Sequence, residues 1–302
     1  MIFSECIGRT PTVRLQGLEE RLGLGFRLYA KCEMMNPSGS VKDRATKAIL
    51  SRLESNVALW TGARLVTATS GNFGISLAML TTSLGYGAII VMPESASEER
   101  QKLMRAYGAE VVLVSGGMTS AISRAKEIAE GERGAIYLDQ FENIESFNCH
   151  YTGTGRELWC NMQTEIDIFA SGVGTSGTLS GIGAFLKEQK SDLEIIAVEP
   201  CESAVLSGGH QGSHGIEGIG AGFVPTLYRR DIVNEVIGVR TEEAIECMRE
   251  LARCEGIFAG ISSGASLAAI LKLARARDIN GKNVAFILAD RGERYFSRGV
   301  ID

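Results

Sequence analysis

The sequence predicts an α/β protein with two open, mostly parallel sheets carrying helices on both faces. Three observations carry this. Short β-branched runs alternate with longer stretches of helical spacing, and they do so in two successive sets. Three loops rich in glycine and hydroxyls stand where a strand or loop end gives way to a helix, the place where open α/β sheets take ligands. The chain has 302 residues, enough for two such units.

In chain order, Gly8-Arg9-Thr10-Pro11 reads as a turn before Val13 to Leu15, and Leu28 to Cys32 as a short strand. A helix starts at Lys42 and carries Ala45, Ala48, Ile49 and Leu53 at helical spacing. Strands are expected at Leu65–Thr69, Ala88–Met92, Val111–Val114 and Ile136–Leu138. Helices are expected at Phe73–Leu84, Ser97–Tyr107 with Ser97 as cap, and Thr119–Glu130. The second set has strands at Ile166–Ala170, Ile195–Glu199, Val233–Val239 and Asn283–Ala289. Its helices are Thr178–Gln189, Glu242–Glu255 and Gly264–Arg277, and the Gly- and His-rich Ser203–Phe223 reads as a loop. The junction falls near Gln140 to Phe147. This makes residues 1–36 with 142–302 a larger unit and 37–141 a smaller, mobile one.

Composition narrows the function. A hydrophobic content of 45% with 22% charged residues is that of a soluble globular enzyme. The net charge is −5 with no basic block, which points away from nucleic acid and anionic membranes. No apolar run has membrane-spanning length, and Met1 to Glu5 lacks the pattern of a signal peptide. Seven irregularly spaced cysteines without a C-x-x-C pair predict reduced thiols in the cytoplasm. The three histidines make no metal site; His210 and His214 share a spacing of four but lie in the Gly-rich loop.

The chemistry centres on Asn36-Pro37-Ser38-Gly39-Ser40-Val41-Lys42-Asp43-Arg44, a loop turning into a helix with Ser38 or Ser40 as cap. Lys42 stands near the helix N-terminus, where the macrodipole disfavours positive charge, and a neutral amine attacks carbonyls. The plain alternative is a solvated lysine beside Asp43. Thr69-Ser70-Gly71-Asn72-Phe73-Gly74 reads either as an anion cradle or as a simple cap with tight-turn glycines. Gly172-Val173-Gly174-Thr175-Ser176-Gly177-Thr178 opens a helix with three hydroxyls and suits a phosphate. It also matches G-x-G-x-x-G with Glu199 ending the next strand, so a nicotinamide-dependent enzyme stands as a rival. The hydroxyl load favours a terminal phosphate monoester. Ser262 and Ser263 either cap the last long helix or meet a cofactor ring nitrogen.

Together these stretches resemble the cysteine synthase and cystathionine β-synthase family of fold-type II pyridoxal-phosphate enzymes, in the tryptophan synthase β-subunit superfamily. Glu217-Gly218-Ile219-Gly220-Ala221-Gly222-Phe223, Ala259 to Ala265 and Gly292-Glu293-Arg294-Tyr295 fit as well, so the likeness runs through essentially the whole chain in order. The resemblance implies pyridoxal 5'-phosphate bound to the larger unit, with Lys42 as its Schiff-base lysine and shuttle for the α-proton. It implies Gly174, Thr175, Ser176, Gly177 and Thr178 at the phosphate, Asn72 at the ring hydroxyl and Ser262, in preference to Ser263, at the pyridine nitrogen. Thr69, Ser70, Gly71, Phe73 and Gln140 would form the substrate-carboxylate site of the smaller unit. The implied reaction is β-replacement through an aminoacrylate, with O-acetyl-L-serine and sulfide giving L-cysteine and acetate. Alternatives are L-cysteine cleaved to release sulfide, another nucleophile, or a non-catalytic role as partner of serine acetyltransferase, whose C-terminal tail the family's cleft accepts. A homodimer is expected.

The chain departs from the family pattern in places. Phe73 replaces a threonine, Arg291 a serine, and prolines expected in 141–147 and before Glu157 are absent. The Phe73 ring either narrows the cleft or packs in the smaller unit's core.

Overall fold

The computed structural model describes residues 3–56 and 59–300. Its first elements are β1 (Thr12–Arg14), α1 (Gln16–Leu22), β2 (Arg27–Lys31), α2 (Lys42–Ser55), β3 (Arg64–Ala68), α3 (Asn72–Leu84) and β4 (Gly87–Pro93). Next come α4 (Glu98–Ala106), β5 (Glu110–Val114), α5 (Met118–Gly131), β6 (Ala135–Tyr137), α6 (Glu145–Cys149) and α7 (Gly155–Asn161). The chain continues with β7 (Ile168–Gly172), α8 (Gly177–Gln189), β8 (Glu194–Pro200), β9 (Glu235–Val239), α9 (Thr241–Glu255), α10 (Ile261–Ala276) and β10 (Asn283–Ile287).

The strands form two sheets. One has six strands in the order β1-β2-β10-β7-β8-β9, parallel except for the β1 edge; the other has four parallel strands in the order β5-β4-β3-β6. The inner strands are buried on both faces, which is why they read as continuous β-branched runs. The four-stranded sheet packs one face on Ile49, Leu50, Ile75 and Leu80 of α2 and α3, and the other on Ala121 and Ala125 of α5. The expected α/β class with two sheets is what forms. Ser97 caps α4, its hydroxyl accepting the Arg100 N–H at 3.5 Å.

Three differences have physical causes. Helix α1 is too short for a helical period to declare itself. Residues 145–161, read without an element, run as α6, a π turn over His150–Thr154, and α7. Threonines and glycines give this stretch low helical propensity, but packing against α2 and α8 imposes the helix. Arg156, standing where a proline was expected, keeps the N–H that continued helix requires. Helix α10 begins at Ile261 with Gly260 at its N-cap, so Ser262 and Ser263 lie inside the first turn and cap nothing. In α2 Val41 holds the N-cap position, while the Ser40 hydroxyl accepts the Lys42 N–H at 3.4 Å, so Ser40 serves the first helical turn from one residue earlier.

A buried ion cluster joins the two halves of the chain. Arg44 of α2 pairs with Glu33 at 2.6 Å and Glu157 of α7 at 2.6 Å, and Lys31 of β2 pairs with Glu157 at 2.8 Å. Thr10 Oγ1 donates to Glu33 at 2.6 Å, and Lys31 Nζ donates to the Thr10 carbonyl at 2.6 Å. The Gly8–Pro11 turn is thereby sewn to the start of α2.

Burial acts to raise the Glu157 carboxyl, but hydrogen bonds and charge from Arg44, helped by Lys31 and the Arg9 N–H, bring it down to about 2. A carboxyl held lower in the folded chain than in the unfolded one stabilises above the unfolded value of about 4.3, and loses that contribution as pH falls through the folded value. We expect the urea midpoint to fall between about pH 4.5 and 2. Glu157→Gln should make that fall shallower and cost about 3 kcal/mol at pH 7, because it leaves two cations short of an anion. An unchanged slope in the variant would assign the acid sensitivity elsewhere.

Candidate active site

The C-terminal ends of β3 and β7, from different sheets, open onto one cleft. Its outer compartment holds about 710 Å³ and shares Lys42, Asn72, Gly174, Thr175, Gly218 and Ile219 with the inner one. Lys42 is the first residue of α2, and the chain before it is pinned to the end of β10 by Val41 N–H to the Ala289 carbonyl at 2.8 Å. Burial lowers the basicity of the Lys42 amine; Cys149 and Asp290 oppose the shift. Asp43 does not pair with it. That carboxylate is buried and accepts the Ser38 N–H at 2.7 Å and the Ser38 hydroxyl. The reading of a solvated lysine beside Asp43 is therefore excluded.

At the head of α8, Gly172 to Thr178 forms a cradle. Ser176 takes a left-handed conformation, φ 69°, which aims the following N–H groups at the cleft. A Cβ on Gly174 would lie 2.3 Å from the Gly218 carbonyl oxygen, so only glycine lets these two loops meet. The first-turn N–H groups of α8 have no intrahelical acceptor. Thr175, Ser176 and Thr178 line the inner compartment, and no carboxylate does so among the described residues. This donor set, beside an amine and the Ser262 hydroxyl, fits a phosphate-bearing aldehyde such as pyridoxal phosphate.

Behind the cradle stands His150, which sequence reasoning weighed only as a metal ligand. Its Nε2 lies 3.2 Å from Thr178 Oγ1 and its Nδ1 2.9 Å from Thr154 Oγ1. Burial, then the charges of Arg44 and Lys42, push its pKa well down, so the imidazole is neutral. The π turn aims it; nothing local in the sequence announces that.

The two serines differ in geometry. Ser263 Oγ accepts the Ala289 N–H at 3.0 Å and is fully buried, whereas Ser262 lines the inner compartment. In the other wall, Thr69 Oγ1 accepts the Gly71 N–H at 3.2 Å, and Gly71 is the N-cap of α3. Ser70, Gly71 and Gln140 face the outer compartment. The Phe73 side chain is only 2% exposed and belongs to the core with Ile49, Leu65 and Ile75, while the residue also borders the outer compartment. Asn72 is gripped by Asp290 and Arg294. Arg100 spans the mouth, donating to the Ser70 carbonyl at 3.1 Å and pairing with Glu217 at 2.6 Å. Asp290 and Arg100 were not singled out from the sequence, and Glu217 was noted only as the head of the Glu217–Phe223 stretch. The nicotinamide rival fails on Glu199, which is buried and accepts the N–H groups of Leu206 and Ser207 at 2.7 and 3.0 Å, leaving no free acid for a ribose.

These features define a pyridoxal-phosphate enzyme of the two-sheet α/β fold. The chain belongs to the family described as pyridoxal-phosphate dependent enzyme, whose model matches residues 3–290. It is 43% identical over 299 residues to a cysteine synthase of Staphylococcus aureus strain N315, covering 98% of this chain and 95% of that protein. The structure of a cysteine synthase from Entamoeba histolytica superposes with a TM-score of 0.94 at 41% identity, covering 99% of this chain and 90% of that one. An O-ureido-L-serine synthase superposes at 0.95 with 36% identity, covering 100% and 96%. Among the described residues no helix is long and apolar enough to cross a membrane, and no disulfide is present.

Because the Phe73 ring is core, Phe73→Thr should lower the unfolding free energy by about 3 kcal/mol. Relative kcat/KM values for competing amino-acid substrates should stay within about twofold. An unchanged melting temperature with altered selectivity would instead place the ring in the cleft. Separately, Ser262→Asp should change the visible absorption of the holoenzyme by protonating the ring nitrogen. Ser263→Ala should leave the spectrum and lower stability by about 1 kcal/mol. The reverse pattern would exchange their roles.

Proposed function

We propose that this chain replaces the acetoxy group of O-acetyl-L-serine by sulfide, giving L-cysteine and acetate. The observation that carries the reading is a neutral serine, Ser262, rather than an acid, in the same inner compartment as Lys42 and the phosphate cradle. When bound, pyridoxal phosphate supplies a sink for the electrons of the α-carbon bond, and a serine at its nitrogen keeps that sink moderate, which suits β-chemistry. The near-full-length identity to a cysteine synthase supports the choice of substrates.

Each residue then has a task. The Lys42 amine, its basicity lowered by burial, holds the cofactor and moves the α-proton. Gly174, Thr175, Ser176, Gly177 and Thr178 bind the phosphate, with neutral His150 orienting the Thr178 hydroxyl. Asn72 addresses the ring hydroxyl. Thr69, Ser70, Gly71, Gln140 and the Phe73 backbone N–H receive the substrate carboxylate at the head of α3. Residues 37–141 form a smaller unit that closes on residues 1–36 with 142–302 and excludes water from the cleft.

The outer compartment is larger than sulfide requires, and this favours a second reading in which a bulkier nucleophile enters. Phe141 and Phe223 meet across the mouth at 5.2 Å, an apolar rim suited to the C-terminal tail of a serine acetyltransferase. We place the enzyme in the cytoplasm as a homodimer.

The test is turnover with O-acetyl-L-serine and sulfide, with L-cysteine alone, and with O-acetyl-L-serine plus an amino-acid thiol. The first pair should give the largest kcat/KM; faster sulfide release from L-cysteine would overturn the assignment. Lys42→Ala should lose at least about a thousandfold in kcat while keeping its fold, since the nucleophile goes but no buried partner is orphaned. Retained turnover would remove Lys42 from the reaction.

A further inference from the structure

Asn72 is held at both ends of its amide by a segment that lies 218 to 222 residues further along the chain. Its Nδ2 donates to Asp290 Oδ2 at 2.6 Å, and its Oδ1 accepts from Arg294 Nη1. A guanidinium only donates and a carboxylate only accepts, so these partners permit one amide orientation and forbid the flipped one. Both partners are themselves anchored. Asp290 is 1% exposed, its Oδ2 also accepts the Tyr295 hydroxyl at 2.6 Å, and its backbone pairs with Ser40 and Gly260. Arg294 donates in addition to the Ser38 carbonyl, four residues before Lys42. One N–H of Asn72 is committed to Asp290. Among the described residues the other has no hydrogen-bond partner, and Asn72 borders both compartments of the cleft together with Lys42.

We infer that Asp290 and Arg294 are positioning residues that present the free N–H of Asn72 to the cofactor's ring oxygen. This rests on the reading of Asn72 given under Proposed function. An N–H aimed at that oxygen stabilises its anionic form, and so favours the yellow form of the bound cofactor over the form that absorbs in the near ultraviolet. A flipped amide would present a carbonyl lone pair and favour the reverse. Arg294 also ties Asn72 of α3 to the Ser38 loop. The Arg294 side chain and the Asp290 backbone, which bridges Ser40, thus hold the ring-oxygen donor against the Lys42 loop.

The experiment compares the holoenzyme with Asp290→Ser, Arg294→Gln, Tyr295→Phe and Asn72→Ala, reading the ratio of visible to near-ultraviolet absorbance and the cofactor Kd from dilution. Asp290→Ser and Arg294→Gln should each lower the ratio several-fold and raise Kd by about tenfold, the scale of one lost charge-assisted hydrogen bond. Tyr295→Phe takes a hydrogen bond from the same carboxylate without touching Asn72, and it should leave both readouts as they were. If Tyr295→Phe falls as far as Asp290→Ser, the carboxylate only supports local packing and the inference is overturned. If Asn72→Ala shifts the spectrum while Asp290→Ser and Arg294→Gln do not, Asn72 keeps its role and the positioning role is lost. If Asn72→Ala itself changes nothing, the reading of Asn72 fails first and takes the inference with it. Should Asp290→Ser not fold, Arg294→Gln decides alone, since it releases the other end of the same amide.

Discussion

Arg44, buried between Glu33 and Glu157, is the contact on which the site depends. It lies two residues after Lys42 on α2, so fixing its guanidinium fixes the first turn of that helix and the origin of the Lys42 side chain. Removing such charges from water is expensive, and it is tolerable here because almost every lone pair and proton is answered. Glu33 also takes Thr10 and Asn36, and Lys31 also takes the Thr10 carbonyl. The cluster thus substitutes geometric definition for the adaptable packing an apolar core would give at the same place.

The same burial sets the protonation states around the cofactor cavity. Lys42 and His150 are both shifted toward their neutral forms, chiefly by desolvation, and for His150 the neighbouring Arg44 adds to it. A neutral imidazole both donates and accepts, which is what lets His150 connect Thr154 to Thr178. The α8 N-terminus and its hydroxyls supply the donors for anion binding at the cradle.

The substrate side is organised across sheets. The Thr69–Phe73 loop grows from the four-stranded sheet, yet its partners Asp290 and Arg294, and the Glu217 that pairs with Arg100, come from the chain that builds the six-stranded one. Arg100 completes the connection through the Ser70 carbonyl, and Glu217 also pairs with Arg298 at 2.5 Å. Movement of one sheet against the other must work against these polar contacts near the mouth.

The sequence by itself determined the two parallel sheets, because doubly buried strands must be apolar runs and their helices must show a period near 3.6. It also singled out Lys42 and the Gly172–Thr178 loop as candidates, because a glycine-rich loop opening a helix exposes N–H groups whatever surrounds it. Only the tertiary structure set Ser262 apart from Ser263, since one lines the cavity and the other holds the Ala289 N–H. It alone decided that Phe73 turns inward, because an aromatic ring follows the larger apolar contact it can reach. The π turn that aims His150 and the grip of Asp290 and Arg294 on Asn72 were likewise out of sight. Those contacts join residues 28 to 222 positions apart, and local pattern carries no information about which distant side chains will share a lone pair.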